Sequence, residues 1–330
     1  MIASALGSYP RIGEGAEAQR LRRAIQKFQA GGLTRDELRA VEDGVTAEVL
    51  GEQAAAGVDW VTDGLVRWED GQTHFTDRLH GFRRGQLLRY FDTNTYYRQP
   101  VAVGPVRWQG PIAIEDFRFA AAHSTQPVRP VVTGPYTLAR LCADEHYHDL
   151  ETFALDLARA LNTELRGLEA AGATMLQVDE PALTWHPEDE PLARRLLAQL
   201  VGGVTVPVWV ALYLGPVTPL LDRVAEWPVA GVWLDCVTEP AAVARLAARP
   251  PAEPLRLGLG VVDARNTRLE EAAALSATLA RVAERAGADR VAATTSAGLE
   301  FLPRQRAREK LARLAEAARL AGAAVSGKGA

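Results

Sequence analysis

The stretch LEAAGATMLQVDEPAL, residues 168–183, runs from the end of an apolar-periodic helix through a glycine turn into a short apolar run that stops on two carboxylates. Glycine after a helix supplies the left-handed residue that ends it, so the phrase marks a helix-to-strand turn. The same phrase recurs as AAAGVDWVTDG at 54–64, WPVAGVWLDC at 227–236 and ERAGADRVAATTS at 284–296. Between such turns lie segments like LETFALDLARALNTELRGLEAAG, 150–172, with apolar residues at three- and four-residue spacing. Short apolar runs alternating with amphipathic helices are the sign of βαβ units and a parallel sheet.

Working outward, eight runs are expected as strands: 2–6, 60–62, 130–132, 175–178, 206–212, 231–234, 255–261 and 290–293. Eight strands in a 330-residue chain without a composition break favour closure over a doubly wound open sheet. The expected fold is α/β, a single (β/α)8 TIM barrel spanning 1–330. Residues 67–122, crowded with Trp68, His74, Phe82, Tyr90, Phe91, Tyr96 and Tyr97, are too many for a simple connection. They are expected as an elaborated loop between strands two and three with a short hairpin over the mouth, His74 and His80 being lid or surface residues. The tail, 323–330, lacks periodicity and is expected to fray.

Forty-one acidic and 37 basic residues, mixed along the chain, leave a net charge of −4 and no basic face for a phosphate backbone. Nucleic acid is not expected as a partner. Two cysteines, Cys142 and Cys236, are too few for a disulfide framework and fit a reducing, cytoplasmic setting. The start, MIASALGSYPRIG, has no basic segment followed by an apolar one, and no apolar run suits a membrane span.

In such a barrel the residues past the carboxyl end of each strand line the site. Sampling those places gives Ser8, Tyr9 and Arg11; Asp63, Gly64 and Arg67; Thr133 and Gly134; Gln177, Asp179 and Glu180; Tyr213; Asp235 and Cys236; Asp263, Arg265 and Asn266; and Thr294, Thr295 and Ser296. The set is polar and rich in carboxylates. Two readings of QVDEPAL stand open: Asp179 and Glu180 either cap the next helix or bind an ammonium and guide a proton in the cavity. In GVVDARN, Asp263 and Asn266 either order a turn or join Arg265, whose fork suits a carboxylate. The cluster CADEHYHD, 142–149, is either a polar helix-to-helix loop or a metal site using His146 and His148.

A resemblance adds to this reading. GSYPRIG, TDGLVRWEDG, YYRQPVAVGPV with GPIAIEDFRFA, VVTGPYTLARL, LQVDEPAL, LGLGVVDARNTRLE and TTSAGLEFLPRQRAREKLARL stand in collinear order over nearly the whole chain. Together they resemble the cobalamin-independent methionine synthase family. The resemblance implies barrel domains and methyl transfer from 5-methyltetrahydrofolate to the thiol of homocysteine, with a zinc ion that binds the thiol and lowers its pKa. It carries Ser8, Asp179 and Glu180 over as substrate-binding positions. Arg11 and the run Arg20, Arg22 and Arg23 become candidates for the folate glutamate tail, with the insertion EGAEA, 14–18, unsettling that alignment.

The same resemblance exposes a departure. The family's zinc ligands are a His and a Cys after strand five, a Glu ending strand six and a Cys after strand eight. Here those segments read VWVALYLG, GVWLDCV and TTSAGLE, offering Tyr213, Asp235, Cys236 and Ala297. Such a set does not make a tetrahedral nitrogen and sulfur site, so no metal ligand is assigned, and a tetrahydrofolate derivative is expected as substrate rather than resident cofactor. YFDTNTYY, LYLGPV and GVVDARN look like the metal-free amino-terminal barrel of full-length synthases. Expected catalytic residues are Asp179, Glu180, Asp235 and Asp263. Expected substrate contacts are Ser8, Arg11, Asp63, Gln177, Tyr213, Arg265, Asn266 and Ser296, with Arg20 and Arg22 toward a folate tail. Two alternatives remain: a folate-binding barrel serving a separate catalytic partner, and a barrel related to uroporphyrinogen decarboxylase, which would want several inward arginines where only Arg11, Arg67 and Arg265 are evident.

Overall fold

Parallel strands are buried on both faces and therefore need nearly continuous apolar runs, which is what the sequence supplies. The computed structural model describes residues 1–13, 15 and 19–327, so most of the 14–18 insertion and the last three residues of the tail lie outside the described residues. In chain order the strands are β1 (Ile2–Ser4), β2 (Leu79–Arg89), β3 (Tyr96–Trp108), β4 (Val131–Thr133), β5 (Ala143–Asp144), β6 (Leu176–Asp179), β7 (Val208–Leu212), β8 (Gly231–Asp235), β9 (Arg256–Val262) and β10 (Val291–Thr295). The helices are α1 (Arg20–Gln29), α2 (Arg35–Ala55), α3 (Thr73–Thr76), α4 (Ile114–His123), α5 (Pro135–Leu141), α6 (Leu150–Ala170), α7 (Ala182–Trp185), α8 (Glu190–Val201), α9 (Ala241–Ala248), α10 (Ala272–Ala286) and α11 (Arg304–Ser326).

Seven strands form one parallel sheet in the order β1-β10-β9-β8-β7-β6-β4. The expected second strand, 60–62, makes no ladder. Single parallel bridges join Ser4 to Trp60 and Val61 to Val128, so this segment lies between the two ends of the sheet. The reason is local: Thr62 takes its backbone bonds from a side chain, its N–H donating to Gln53 Oε1 at 3.1 Å and its carbonyl accepting from Gln53 Nε2 at 2.8 Å. A helix α2 amide thus replaces the ladder there.

Three of the four repeated turn phrases end a helix on a positive-φ glycine, Gly57, Gly172 and Gly287. The fourth differs. Gly231 opens β8 itself, and a Cβ there would overlap the Trp209 indole. Trp209 and Trp233 pack with ring centroids 4.5 Å apart and, with Leu6, Met175, Ala211 and Ala292, form a separate buried cluster. Gly258 on the next strand lacks the Cβ that would collide with Trp233. Arg129, fully buried, lays its guanidinium 4.6 Å from the Trp233 ring centroid and donates to the Leu6 carbonyl at 3.2 Å and to that of Ala5.

The helices complete a larger core. Asp149 caps α6 by accepting from Thr152 N at 2.8 Å, and Phe153, Leu157, Leu161, Leu165 and Leu168 bury the stripe that their spacing encodes. Within 67–122, β2 and β3 pair as an antiparallel hairpin of 11 and 13 residues, longer than the short one expected, and β5 extends it into a three-stranded sheet. Glu164 of α6 anchors its base, accepting from Trp108 Nε1 at 2.8 Å and from the Ala113 N–H at 2.7 Å. The chain end also departs from expectation, because α11 remains helical through Ser326 where fraying was expected from 323.

Candidate functional site

The carboxyl ends of β1, β6 and β7, the β10 loop and the hairpin tip surround a cavity of about 450 Å³. β6 delivers Asp179 as its last residue, 8% exposed, in register with Thr133 on one side and Ala211 on the other. The carboxylate accepts from Gln177 Nε2 at 2.7 Å and from the Tyr213 hydroxyl at 3.0 Å. Gln177 is pinned in turn by donating to the Leu6 carbonyl at 2.6 Å. Burial pushes the Asp179 carboxyl up to about 7, against these two donors and the Arg129 charge, which pull it down. Tyr213 lies beside the hairpin's half-buried Tyr90, and desolvation raises both phenols.

A second carboxylate faces the same space. Glu300, just past β10, accepts a hydrogen bond from the Ser8 hydroxyl, and the loops are tied together by Leu299 N donating to the Ser8 carbonyl at 2.8 Å. Glu300 is itself solvent-exposed at the cavity rim, and the protein around it raises its carboxyl through desolvation, opposed by the Ser8 bond and by Arg11. Arg11 lines the cavity but its guanidinium donates to the carbonyls of Val66, at 3.3 Å, and Trp68. Two other lining acids are engaged: Asp70 accepts from the N–H groups of Gln72, Thr73 and Arg98, and Glu69 pairs with Arg84 at 3.1 Å. Trp68, Tyr96 and Tyr97 add aromatic wall.

Of the expected catalytic and substrate-contact residues, Ser8, Arg11, Asp179 and Tyr213 line this cavity, with Gln177 bonded to Asp179; Tyr9, Gly64 and Thr133 of the sampled strand ends line it too. Others have local duties. Glu180 is corrected to a cap: its oxygens accept from Tyr136 N at 3.1 Å and Thr137 N at 2.7 Å at the start of α5, and burial holds it up near about 7. Gly134 leaves the room this needs. Asp235 closes a turn, accepting from Val237 N and Thr238 N, both at 2.9 Å, and from Thr238 Oγ1 at 2.6 Å. Asp263 does the same for Arg265 N at 2.8 Å and the Asn266 amide, while Ser296 Oγ accepts from Ala264 N at 3.1 Å. At Glu180 and Asp263 these hydrogen bonds fit the capping and turn-ordering readings. Arg265 Nη2 holds the hairpin tip through the Asp92 carbonyl at 2.6 Å. Asp63, raised to about 6 by burial, accepts from Leu65 N at 3.0 Å beside a much smaller hollow. Arg20 on α1 pairs with Glu48 at 2.7 Å, Arg22 is exposed there, and neither lines the cavity.

His74 is not a surface residue. It is 3% exposed and stacks on Trp68 with centroids 4.8 Å apart, whereas His80 is exposed and donates to the Pro105 carbonyl at 3.0 Å. In 142–149, Asp144 caps a turn, Asp149 caps α6 and Glu145 pairs with Arg83 at 2.6 Å. Among the described residues no three His, Cys, Asp or Glu side chains converge as a metal would require. The positions that the resemblance gives to zinc do not fit one. Tyr213 is tied to Asp179, Asp235 is filled by its turn, Ala297 has no donor atom, and the Cys236 thiol is buried on the Leu234 carbonyl and pushed up to about 12. Sampling strand ends as far as Ser296 missed Glu300. The signal lay two residues before it, at Gly298, where a Cβ would overlap both Ser8 Oγ and the Glu300 carboxylate.

A curved seven-stranded parallel sheet with helices around it and a polar and aromatic cavity at its carboxyl edge is the arrangement of a TIM-barrel-like α/β fold, in which small-molecule sites commonly lie at that edge. The family model described as cobalamin-independent synthase, catalytic domain, matches residues 1–195, and the chain belongs to that cobalamin-independent methionine synthase family. It is 30% identical over 328 residues to a methionine synthase of Sulfurisphaera tokodaii, covering 98% of this chain and 93% of the relative. A Pyrococcus abyssi methionine synthase is 28% identical, covering 96% and 91%. The structure of a B12-independent methionine synthase from Shewanella sp. W3-18-1, in complex with selenomethionine, superposes with a TM-score of 0.82 at 23% identity over 96% of each chain. At that identity it speaks for the fold alone.

Proposed function

We propose that this chain is a methyltransferase of the methionine synthase type, passing a methyl group from a 5-methyltetrahydrofolate-type donor to the thiol of homocysteine or an analogue. The observation that carries the reading is the cavity built by Ser8, Asp179, Tyr213 and Glu300, in a chain that matches synthases over nearly their full length. Asp179 holds the acceptor's ammonium, with Tyr213 and Gln177 fixing the carboxylate, and the aromatic wall of Trp68, Tyr90 and Tyr96 receives the donor's ring system. The bridges at 60–62 support an eight-staved barrel folding as one domain. Among the described residues no ligand set for zinc is assembled, and no step is assigned to the metal. No helix among the described residues is long and apolar enough to cross a membrane. The reading of a folate-binding module with a separate catalytic partner is less well supported, since Arg11 is bonded to backbone and Arg20 to Glu48. The test is methionine formation from homocysteine and 5-methyltetrahydropteroyl glutamates, with added zinc or with chelator. Methionine without metal is expected; no methionine under either condition removes the proposal.

A further inference from the structure

Resting on that reading, we infer that Glu300, held by Ser8, is the base that takes the proton from the acceptor thiol, the task a metal would otherwise perform. The inference grows from a disagreement. The residues at the zinc positions do not fit a zinc site, yet a thiol with an ordinary pKa of about 8.5 needs help to become a nucleophile near neutrality.

The carboxylates near the cavity can be taken in turn. Glu180 caps α5, Asp235 and Asp70 close turns, and Glu69 is ion-paired. Asp179 and Glu300 remain, on opposite sides of the sheet order, carried by β6 and by the β10 loop. Glu300 comes from the same loop as Ala297, the position where a liganding cysteine would stand, and the loop is shaped around it: Gly298 has no Cβ because Ser8 Oγ and the Glu300 carboxylate fill that space. Around Glu300 stand Ser8 and Arg11 after β1, Asp179 at the end of β6, Tyr213 after β7 and Tyr90 of the hairpin, each within its electrostatic reach or bonded to it. Among these groups Arg11 is the cation, and its donors face backbone carbonyls. Glu300 is open both to the cavity and to solvent, so a proton taken from a thiol in the cavity can be handed on to water.

The step balances. The thiol proton passes to a Glu300 oxygen, the sulfur pair forms the bond to the methyl carbon, and the electrons of the broken nitrogen–methyl bond stay on the donor nitrogen, which takes a proton from water. One proton leaves the acceptor and one reaches the departing tetrahydropterin. Exchange with solvent then resets Glu300, and Asp179 stays ionised on the acceptor's ammonium throughout.

The test compares wild type, Glu300→Gln and Ser8→Ala as full chains, with homocysteine and with its selenol analogue, which ionises without a base. Glu300→Gln should lose at least about 100-fold in kcat with the thiol, show a rate that climbs with pH as the thiol ionises in solution, and regain most of its rate with the selenol. Ser8→Ala should keep partial activity with the acidic limb of its kcat/KM profile moved upward, because the bond favouring the ionised carboxylate is gone. Equal losses of Glu300→Gln with thiol and selenol, or an unchanged pH profile in both variants, would overturn the inference while leaving methyl transfer intact. A wild type inactive with either acceptor would instead remove the underlying function and this step with it.

Discussion

Asp179 carries a conflict that can be measured. Its carboxyl is raised to about 7 because it is buried, against the opposing pull of Arg129, while the unfolded chain returns it to about 4. An acid whose folded pKa is raised weakens the folded state as pH climbs from the unfolded toward the folded value, because the unfolded chain gives up its proton first. Below the unfolded value the penalty is absent, and above the folded value it is complete. Asp179→Asn should therefore raise stability at about pH 8 by about 1–3 kcal/mol, less than the full shift implies because Arg129 loses its counter-charge. The same variant should lose activity by two orders of magnitude or more. Thermal melts across the pH range, read beside turnover, decide the point; a variant no more stable than wild type at about pH 8 would deny that Asp179 is ionised at a cost.

The hairpin β2–β3 meets the rest of the molecule at its tip through few contacts. Phe91, at φ 47, stacks on Trp185 with centroids 6.0 Å apart, Tyr90 meets Tyr213, and Arg265 grips the Asp92 carbonyl. Since Tyr90, Thr95, Tyr96 and Tyr97 wall the cavity, loosening the tip should weaken ligand binding more than chemistry. Arg265→Ala is expected to raise KM about 3- to 10-fold with little change in kcat, and to speed hydrogen exchange at 90–95. If kcat collapses while exchange is unaltered, Arg265 acts on the reacting groups instead. The strands offer a separate test, because the interior is filled by indoles where neighbouring strands carry glycine. Gly258→Ala forces a methyl into Trp233 and should destabilise the fold by about 2–4 kcal/mol in denaturant titration; an unchanged midpoint would mean that the tryptophan pair shifts freely.

At the scale of the whole molecule, seven strands were legible in the sequence to within about two residues at each end, because strands buried on both faces must be apolar throughout. Three features were not. Carboxylates after strands look alike whether they line a cavity or cap a helix, and only neighbours distant in sequence, such as the N–H groups of Tyr136 and Thr137 for Glu180, separate the uses. Glu300 lies beyond the strand end and reaches back through a fold in the loop that only Gly298 hints at. The segment 60–62 reads as a strand, yet its closure depends on a helix side chain. That last point predicts how the sheet's two ends are sealed. Gln53 is fully buried, and its amide serves both the N–H and the carbonyl of Thr62. Truncation leaves two buried backbone groups without partners, each costing about 1–3 kcal/mol. Gln53→Ala should accordingly lower stability by about 3 kcal/mol, and amide exchange should quicken first at Val61, Thr62 and Arg129, whose N–H donates to the Val61 carbonyl at 2.8 Å. Exchange that stays slow at these three amides while the rest of the protein loosens would show the seam to be held by packing of Val61 and its neighbours, with the Gln53 amide contributing nothing to closure.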